Sequence, residues 1–365
     1  VEDKTTVLSY SWEDLSEETS YTGKIVASNG VYSTTTTFAF TTRKYIPLVF
    51  SGDMILQSQQ EVNDFGNEDY SEITGSLLIR DSGSPSDFHI TDLTPLSRLT
   101  RIGADLNIAY NFGLMNLEGL NNIVSIGGDL HIDHNFSLSS MQGLDNLSAI
   151  EGNLDVDSNL KLLTLEGLIS LSIVGQNLRI GANALDNLMG LSNLTSIGQN
   201  LLLGHSKVIS LEGLENITTI EGNVEIRNSE NIQSFMGLEN LSIVRGSVEI
   251  VNNMELADLS GLGDLEEVSS SFEVSSNISL ISLNGLESLK RVNRNLSIGL
   301  NPELKNIDAL SNLTNVDGDL SVTNNAQWIT MDITQIVSKL LRGIAVNKYG
   351  NSFGRLIIQW FNNTI

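Results

Sequence analysis

The sequence predicts a mainly β protein: a right-handed parallel β-solenoid of about ten or eleven coils, with a helical cap at each end and part of a β-sandwich at the N-terminus. A motif, I-x-G-x-L-x-I-x-x-N, recurs every 23 or 24 residues over more than 200 residues, which is the signature of stacked repeats. Inside each copy apolar and polar residues first alternate, as in a half-buried strand. Apolar residues then recur every third residue, a spacing that suits short extended or 3-10 corners and not a long α-helix.

The solenoid prediction covers residues 73–327, because every copy of the motif falls there. Ten regular copies follow a longer, degenerate first copy of 29 residues that begins at Ile73. One coil cannot bury its apolar face alone, so neighbouring coils must share a core and pair their strands. The regular copies begin at Ile102, Ile126, Ile150, Val174, Ile197, Ile220, Val244, Val268, Val292 and Val316.

Two positions of the repeat predict how each coil turns. The eighteenth position is glycine in every copy from Gly119 to Gly285 and is Ala309 in the copy that follows, which predicts a positive φ or a tight corner. The tenth position follows the strand and is asparagine in eight copies, with Ser206 and Ser229 in the other two. Stacked asparagines can satisfy the buried backbone amides of their own turn and of the next coil, so we predict a buried ladder. Its members are Asn111, Asn135, Asn159, Asn183, Asn253, Asn277, Asn301 and Asn325.

The N-terminal segment, residues 1–44, predicts three strands: Thr6–Trp12, Tyr21–Ala27 and Val31–Thr42. The stretch from Leu15 to Ala27 resembles the later half of a fibronectin type III domain, with Tyr21 as its corner tyrosine. Three of the roughly seven strands of such a sandwich are present. Either an upstream half lies outside this chain, or the segment packs on the solenoid.

Residues 45–72 predict an N-terminal cap that contains a short helix. The residues Ser-Gln-Gln-Glu that begin at Ser58 match a capping box, the pattern that starts many helices. Val62 and Phe65 would share one face of this helix, and Gly66 would end it. The helix would cover the first coil, which a solenoid needs.

Residues 328–365 predict the cap at the other end. Apolar residues keep helical spacing over Thr330–Leu341, so we expect a second helix there. The tail Leu356–Ile365 is apolar and is expected to dock on the rest of the chain.

The motif from Ile126 to Asn135, I-G-G-D-L-H-I-D-H-N, resembles the repeat of the receptor L domain. That domain is the β-helical ligand-binding module of growth-factor and insulin-type receptors, and it is related to leucine-rich repeats. The resemblance covers residues 73–327 and implies the solenoid fold. The chain lacks the cysteines and the kinase of those receptors and has more coils, so it is more similar to bacterial surface proteins built from the same repeat. The receptors' growth-factor function is therefore not carried over.

Composition excludes several classes of function. The chain has 20 Lys and Arg against 44 Asp and Glu, a formal net charge of −24, so nucleic acid and anionic membrane surfaces are poor partners. It has no cysteine, which excludes disulfides and thiolate metal sites. It contains neither a long apolar run that could span a membrane nor a phosphate-binding loop or nucleophile elbow. We therefore predict a protein that is not an enzyme and has no cofactor or metal site.

The candidate site lies on the exposed positions of the predicted strands, the fourth, sixth and eighth of the repeat. Coils stack roughly 4.8 Å apart, so equal positions form columns. Charges of both signs are densest over three coils, and we predict that a ligand binds at Asp129, His131, Asp133, Asp155, Asp157 and Arg179. An acidic face that only keeps the solenoid soluble remains an alternative interpretation. Two secondary candidates are an acidic column of Glu225, Glu249 and Glu273 beside Arg227 and a loop in the long first copy, Arg80–Phe88.

Two hypotheses for function remain open. The first is a non-catalytic extracellular or cell-surface module that binds a protein or glycan ligand, works as a monomer and is lipid-anchored through a segment upstream of Val1. The second is a carbohydrate-active enzyme similar to polysaccharide lyases, with Ca²⁺ held by Asp133, Asp155 and Asp157 and with Arg179 as a base or charge stabiliser. The match to a calcium loop is weak because Leu160 stands where that loop needs glycine. The coils are nearly uniform in length and predict no deep cleft, which favours the first hypothesis.

Overall fold

The computed structural model describes residues 16, 18–28, 32–42, 47–83, 89–325 and 356–359 of the 365-residue chain. The chain divides into two compact units, Val1–Leu48 and Val49–Ile365. Some sequence predictions fall wholly or partly outside the described residues: the strand Thr6–Trp12, the first residue of the strand Val31–Thr42, positions 84–88 of the predicted loop, the helix Thr330–Leu341 and positions 360–365 of the tail.

The described part of the first unit is an antiparallel hairpin. Strand β1 (Ser20–Ser28) pairs with β2 (Ser33–Thr41) along its whole length. The Ser16 N–H donates to the hydroxyl of Tyr21 at 2.9 Å, and the Tyr21 ring stacks on Phe40 with centroids 5.6 Å apart. A tyrosine hydroxyl that bonds the backbone a few residues upstream is the arrangement expected of a corner tyrosine.

The second unit is a parallel β-solenoid of about eleven turns, as the sequence predicts. The long strands form a 13-stranded parallel sheet, and we call the outward side of this sheet the strand face. Its strands are β4 (Met54–Leu56), β6 (Leu77–Ile79), β8 (Leu106–Ala109), β10 (Leu130–Asp133), β12 (Leu154–Asp157), β14 (Leu178–Ile180), β16 (Leu201–Gly204), β18 (Val224–Arg227), β20 (Val248–Val251), β22 (Phe272–Ser275), β24 (Leu296–Gly299), β26 (Leu320–Thr323) and β27 (Leu356–Gln359).

A two-residue strand precedes nearly every long strand. Seven of these short strands form one parallel sheet and five form another. The first sheet contains β3 (Val49–Phe50), β5 (Glu72–Ile73), β7 (Arg101–Ile102), β9 (Ser125–Ile126), β11 (Ala149–Ile150), β13 (Ile173–Val174) and β15 (Ser196–Ile197). The second contains β17 (Thr219–Ile220), β19 (Ile243–Val244), β21 (Glu267–Val268), β23 (Arg291–Val292) and β25 (Asn315–Val316).

The core runs along the axis of the solenoid, and the repeat positions fill it in the predicted way. In the coil that begins at Ile126, every apolar position of the motif is fully buried: Ile126, Leu130, Ile132, Leu138, Met141, Leu144 and Leu147. The parallel register pairs identical positions, such as Leu130 with Leu154 and Ile132 with Val156. Each apolar side chain therefore lies directly on its equivalent in the next coil, so burial in one coil depends on its neighbours.

The segment 45–72, which the sequence predicts to be a cap, also forms part of the solenoid. Strands β3 and β4 pair in register with β5 and β6, so this segment makes a full coil of the solenoid. Helix α1 (Gln59–Gly66) lies within that coil and begins as predicted, with the Glu61 N–H donating to the Ser58 hydroxyl at 3.3 Å. Val62 and Phe65 are buried. Since the other predicted helix lies outside the described residues, helical caps at the two ends stay a prediction.

At the other end of the described solenoid, part of the apolar tail adds a strand. Strand β27 pairs in parallel with β26, from Leu320↔Leu356 to Thr323↔Gln359. The prediction that the tail docks holds for these four residues.

The corners of the coils contain little helix. Three 3-10 helices occur among the described residues, at Thr94–Leu96, Met189–Leu191 and Asp308–Asn312. Gly119 has a φ of +111°, and a Cβ there would lie 1.9 Å from the Leu93 carbonyl oxygen of the preceding coil. Glycine is needed at this position both for its backbone conformation and for the close approach of two coils.

Candidate functional site

The asparagine ladder supports the strand face from inside. The Asn135 Oδ1 accepts the N–H of Asn111 at 3.0 Å, and its Nδ2 donates to the carbonyl of Ile108 at 2.8 Å. The same two bonds recur from coil to coil, but Ser206 and Ser229 interrupt the column. These bonds fix the turn that follows each long strand outside the two serine coils.

A second ladder, which the sequence interpretation missed, runs along the fourth position of the repeat. The Asp105 Oδ1 accepts the N–H of Asp129 at 2.8 Å, and the Asp129 Oδ1 accepts the N–H of Asn153 at 2.7 Å. Asn153 and Asn177 continue the pattern. Asp129 therefore holds two coils together, besides any role toward a ligand. The sequence does contain a signal for this ladder, because the fourth position is nearly always Asp, Asn or Ser. These short side chains can accept a hydrogen bond from the backbone of the next coil.

Four of the predicted site residues meet in one charged cluster across β10, β12 and β14. The Arg179 Nη1 donates to both carboxylate oxygens of Asp155, at 2.9 and 3.1 Å, and its Nη2 donates to Asp157 at 3.1 Å. His131 lies 3.8 Å from Asp155, measured from Nδ1 to Oδ2, and 3.3 Å from Asp129 on its other side. We call His131, Asp155, Asp157 and Arg179 the charged cluster.

The charged cluster changes the titration of its own members. The Asp155 carboxylate, 3.8 Å away, raises the pKa of His131, although partial burial acts in the opposite direction. Burial would raise the pKa of Asp155, but the interactions with His131 and Arg179 outweigh it and lower that pKa. His131 is therefore more readily protonated, and Asp155 more readily ionised, than the free side chains, which favours both signs of charge on the strand face.

Asp133 does not join the charged cluster. Its Oδ2 lies 2.8 Å from the Nδ1 of its neighbour His134. The His134 ring stacks on Tyr110, with centroids 4.6 Å apart and planes 13° apart. The prediction grouped Asp133 with Asp155 and Asp157 because all three occupy strand positions, but the Asp133 carboxylate contacts the adjacent His134 instead.

A shallow notch lies on the strand face beside the charged cluster. Gly204 stands at the eighth position of its coil, and a Cβ there would have only the Arg227 carbonyl within 4 Å. The notch is lined by Arg179, Leu202, Leu203, Gly204, His205, Glu225, Arg227 and Asn228. Arg227 contacts Glu225 and Glu249, while the third member of the predicted acidic column, Glu273, accepts a bond from the Ser275 hydroxyl at 2.6 Å. The notch thus has a guanidinium on either side and an apolar floor.

The base of the predicted loop is fixed by one buried carboxylate. The Asp81 Oδ1 accepts the N–H of Ile90 at 2.7 Å, and its Oδ2 accepts the N–H of Phe112 in the next coil at 3.0 Å. His89 Nδ1 lies 3.0 Å from the same oxygen. Asp81 therefore joins both ends of the loop to the solenoid.

Within the described residues, no three His, Asp or Glu side chains come together in a way that could hold a metal ion. The same part of the chain has no helix that is both long and apolar enough to cross a membrane.

No protein-family model matches the sequence. A comparison with curated proteins also finds no match.

Proposed function

We propose that this protein is a non-catalytic recognition or adhesion module that binds a protein or glycan ligand outside the cell or on its surface. The observation that supports it is the charged cluster, which presents both signs of charge on a rigid parallel sheet. Side chains that already hold each other lose little freedom when a ligand binds. The proposed ligand surface comprises Asp129, His131, Asp133, Asp155, Asp157 and Arg179, together with the notch next to Arg179.

The proposed family relationships follow from separate observations. The repeat and its asparagine ladder support a solenoid of the receptor L domain and leucine-rich-repeat type. The bond between the Ser16 N–H and the Tyr21 hydroxyl supports a fibronectin type III-like origin for residues 1–44. Both relationships are analogies of fold, and with them we propose a monomer on the cell surface.

The test begins with a screen of the full chain against a glycan array and a library of secreted and surface proteins. Any ligand found is then measured against the double variant His131→Ala/Arg179→Ala. A matched control is Arg245→Ala, which removes an exposed arginine paired with Glu221 away from the strand face. We expect the double variant to lose binding with an unchanged Tm, and the control to bind normally. Binding that survives the double variant would contradict the proposed surface.

A further inference from the structure

A second exposed surface lies on the flank of the solenoid, where the chain turns after each long strand. Apolar side chains occur there three residues beyond the ends of β8, β10 and β12, and six residues beyond the ends of β8 and β12. The exposed fractions are large for such side chains: Phe112 39%, Met115 66%, Phe136 38%, Leu160 63% and Leu163 67%. We call these five residues the flank stripe.

The members of the flank stripe are neighbours in space. The rings of Phe112 and Phe136 have centroids 5.6 Å apart. Ser139, which separates Met115 from Leu163 in the other column, bonds the backbone of both coils: its N–H donates to Met115 and its carbonyl accepts from Leu163. The stripe is therefore one surface that crosses three coils.

The repeat does not require apolar residues at these positions. Asp186, Lys207, Glu230 and Gln233 stand in the same two columns of the next three coils, whose other members there include Ala184 and Ile209. An exposed apolar patch that the fold does not need is the kind of surface that proteins use for association. Phenylalanine and methionine are also enriched in the cores of interfaces.

The aromatic groups next to the stripe do not form a platform for a sugar ring. The Arg80 guanidinium carbon lies 4.7 Å from the centroid of Tyr110, and His134 from the coil on the opposite side stacks on the same ring. Both faces of Tyr110 are thus covered. Phe112 is contacted by Phe136 and, edge-on, by His89. Because these rings pack against one another, their faces are covered and their edges remain exposed. This arrangement favours a peptide over a glycan as the ligand.

The charges around the flank stripe indicate what kind of peptide it binds. Glu118 and Glu166 are exposed three residues beyond Met115 and Leu163, whereas Asp133 and Asp157 at the ends of β10 and β12 are paired with His134 and Arg179. Lys161 is an exposed cation in the same region. A second copy of this chain would bring carboxylates against carboxylates in addition to its own net charge of −24. A partner with basic residues has the complementary charge.

We propose that the flank stripe binds a basic amphipathic segment of a partner protein. The apolar face of the segment lies on Phe136, Leu160 and Leu163, and its lysine or arginine side chains face Glu118 and Glu166. This surface is distinct from the charged cluster on the strand face, so the proposal does not depend on the strand-face ligand.

The experiment uses the full chain and three labelled synthetic peptides, with binding followed by fluorescence anisotropy at physiological ionic strength. The first peptide is an amphipathic helix of leucine and lysine. The second carries glutamate in place of lysine, and the third carries serine in place of leucine at the same positive charge. We expect the leucine–lysine peptide to bind at least about tenfold more tightly than either of the others, since both apolar contact and charge are needed.

Matched variants locate the binding surface. Leu160→Ser/Leu163→Ser should weaken binding of the leucine–lysine peptide by about tenfold or more. Ile278→Ser/Ile281→Ser removes two exposed apolar side chains from the same columns of a later coil and should change it by less than about twofold. Glu118→Gln/Glu166→Gln should also weaken binding and reduce its dependence on salt. His131→Ala/Arg179→Ala removes positive charge and should not weaken it, which separates this surface from the strand face.

Several results would overturn the proposal. Leu160→Ser/Leu163→Ser and Ile278→Ser/Ile281→Ser could weaken binding of the leucine–lysine peptide equally, or the serine–lysine peptide could bind as tightly as the leucine–lysine peptide. Either result would mean that net charge alone attracts the peptide. Dimerisation in sedimentation equilibrium that Leu160→Ser/Leu163→Ser abolishes would assign the stripe to a second copy. Binding of neutral oligosaccharides that the same variant abolishes would assign it to a glycan.

Discussion

Arg179 on β14 holds the carboxylate of Asp155 on β12 with two hydrogen bonds, at 2.9 and 3.1 Å. The in-register pairing of Asp155 with Arg179 places the two side chains in adjacent rows of the same column. The guanidinium is about half exposed and the carboxylate is mostly covered, so the pair presents its positive side to solvent. An acidic solenoid thereby acquires a local site at which both signs of charge are available to a ligand.

The asparagine ladder gives the first prediction. Replacing Asn277 by Ala removes the acceptor for the Asn253 N–H and the donor to the Ile250 carbonyl, both buried. We expect the free energy of unfolding to fall by about 1–3 kcal/mol in chemical denaturation. Asn240→Ala, which removes an exposed amide, should change it by less than about 0.5 kcal/mol. Equal effects of the two changes would mean that the ladder does not stabilise the solenoid.

The second prediction concerns the glycine corner. Gly119→Ala places a Cβ against the Leu93 carbonyl in a backbone conformation that alanine rarely adopts, so we expect a loss of about 1–3 kcal/mol or more. Gly263→Ala is the matched control, because no atom lies within 4 Å of the new Cβ there. Thermal unfolding of both variants provides the comparison. A Gly119→Ala variant as stable as the control would show that the close approach of coils is easily relieved.

Much of this architecture could be predicted from the sequence, because the spacing of the repeat determines the register between coils. A constant spacing of 23 or 24 residues places each Ile, Leu and Asn over its equivalent, so the sheet, the core and the buried ladder follow. The segment before Ile73 was harder to interpret. Phe50 and Gln59 stand where the motif has isoleucine and asparagine, and the coil that they begin becomes evident only from its strand pairing.

The candidate site was less predictable, because side-chain partners depend on what the neighbouring coil supplies. Alternation alone marks Asp129 as an exposed polar residue, and only the contact with Asn153 identifies it as part of a ladder. The turn after each strand is similar: Tyr110, Ser158 and Leu300 all adopt positive φ, although none is a residue type that predicts it. The flank stripe was also missed, although its residues occupy the eleventh and fourteenth positions of the repeat, outside the positions that form the core.

The third prediction is a pH dependence that comes from His131. Its pKa is raised above the ordinary value near 6.5, so the protonated form is favoured in the folded state. The resulting stabilisation is fully present below pH 6.5 and is lost as the pH rises through the higher pKa of the folded protein. Since His131 is about one-third exposed, we expect an effect below about 1 kcal/mol.

NMR titration of the His131 ring measures this directly. We expect its pKa to lie above that of a free histidine and to fall in the Asp155→Asn variant. A His131 pKa that is unaffected by the loss of Asp155 would contradict the role assigned to that carboxylate.

The fourth prediction concerns calcium. Asp155 and Asp157 are bonded to Arg179, and Asp133 is paired with His134, so Ca²⁺ would have to displace these partners. A ligand that binds the folded state raises the Tm by mass action. Since these carboxylates are already occupied, we expect neither EDTA nor added Ca²⁺ to shift the Tm. A rise of several degrees that Asp155→Asn abolishes would instead favour the calcium-dependent enzyme.

Footprinting of the bound partner is the sharpest test of the proposed ligand surface. Once a ligand has been found, hydroxyl-radical footprinting of the full chain with and without it reports which exposed side chains it covers. We expect protection of His131 and Leu202 on the strand face, with no change at Met189 and Met236, which are exposed at corners elsewhere. Protection confined to Phe88 and the adjoining loop, or to the tail beyond Leu356, with His131 oxidised as in the free protein, would contradict it.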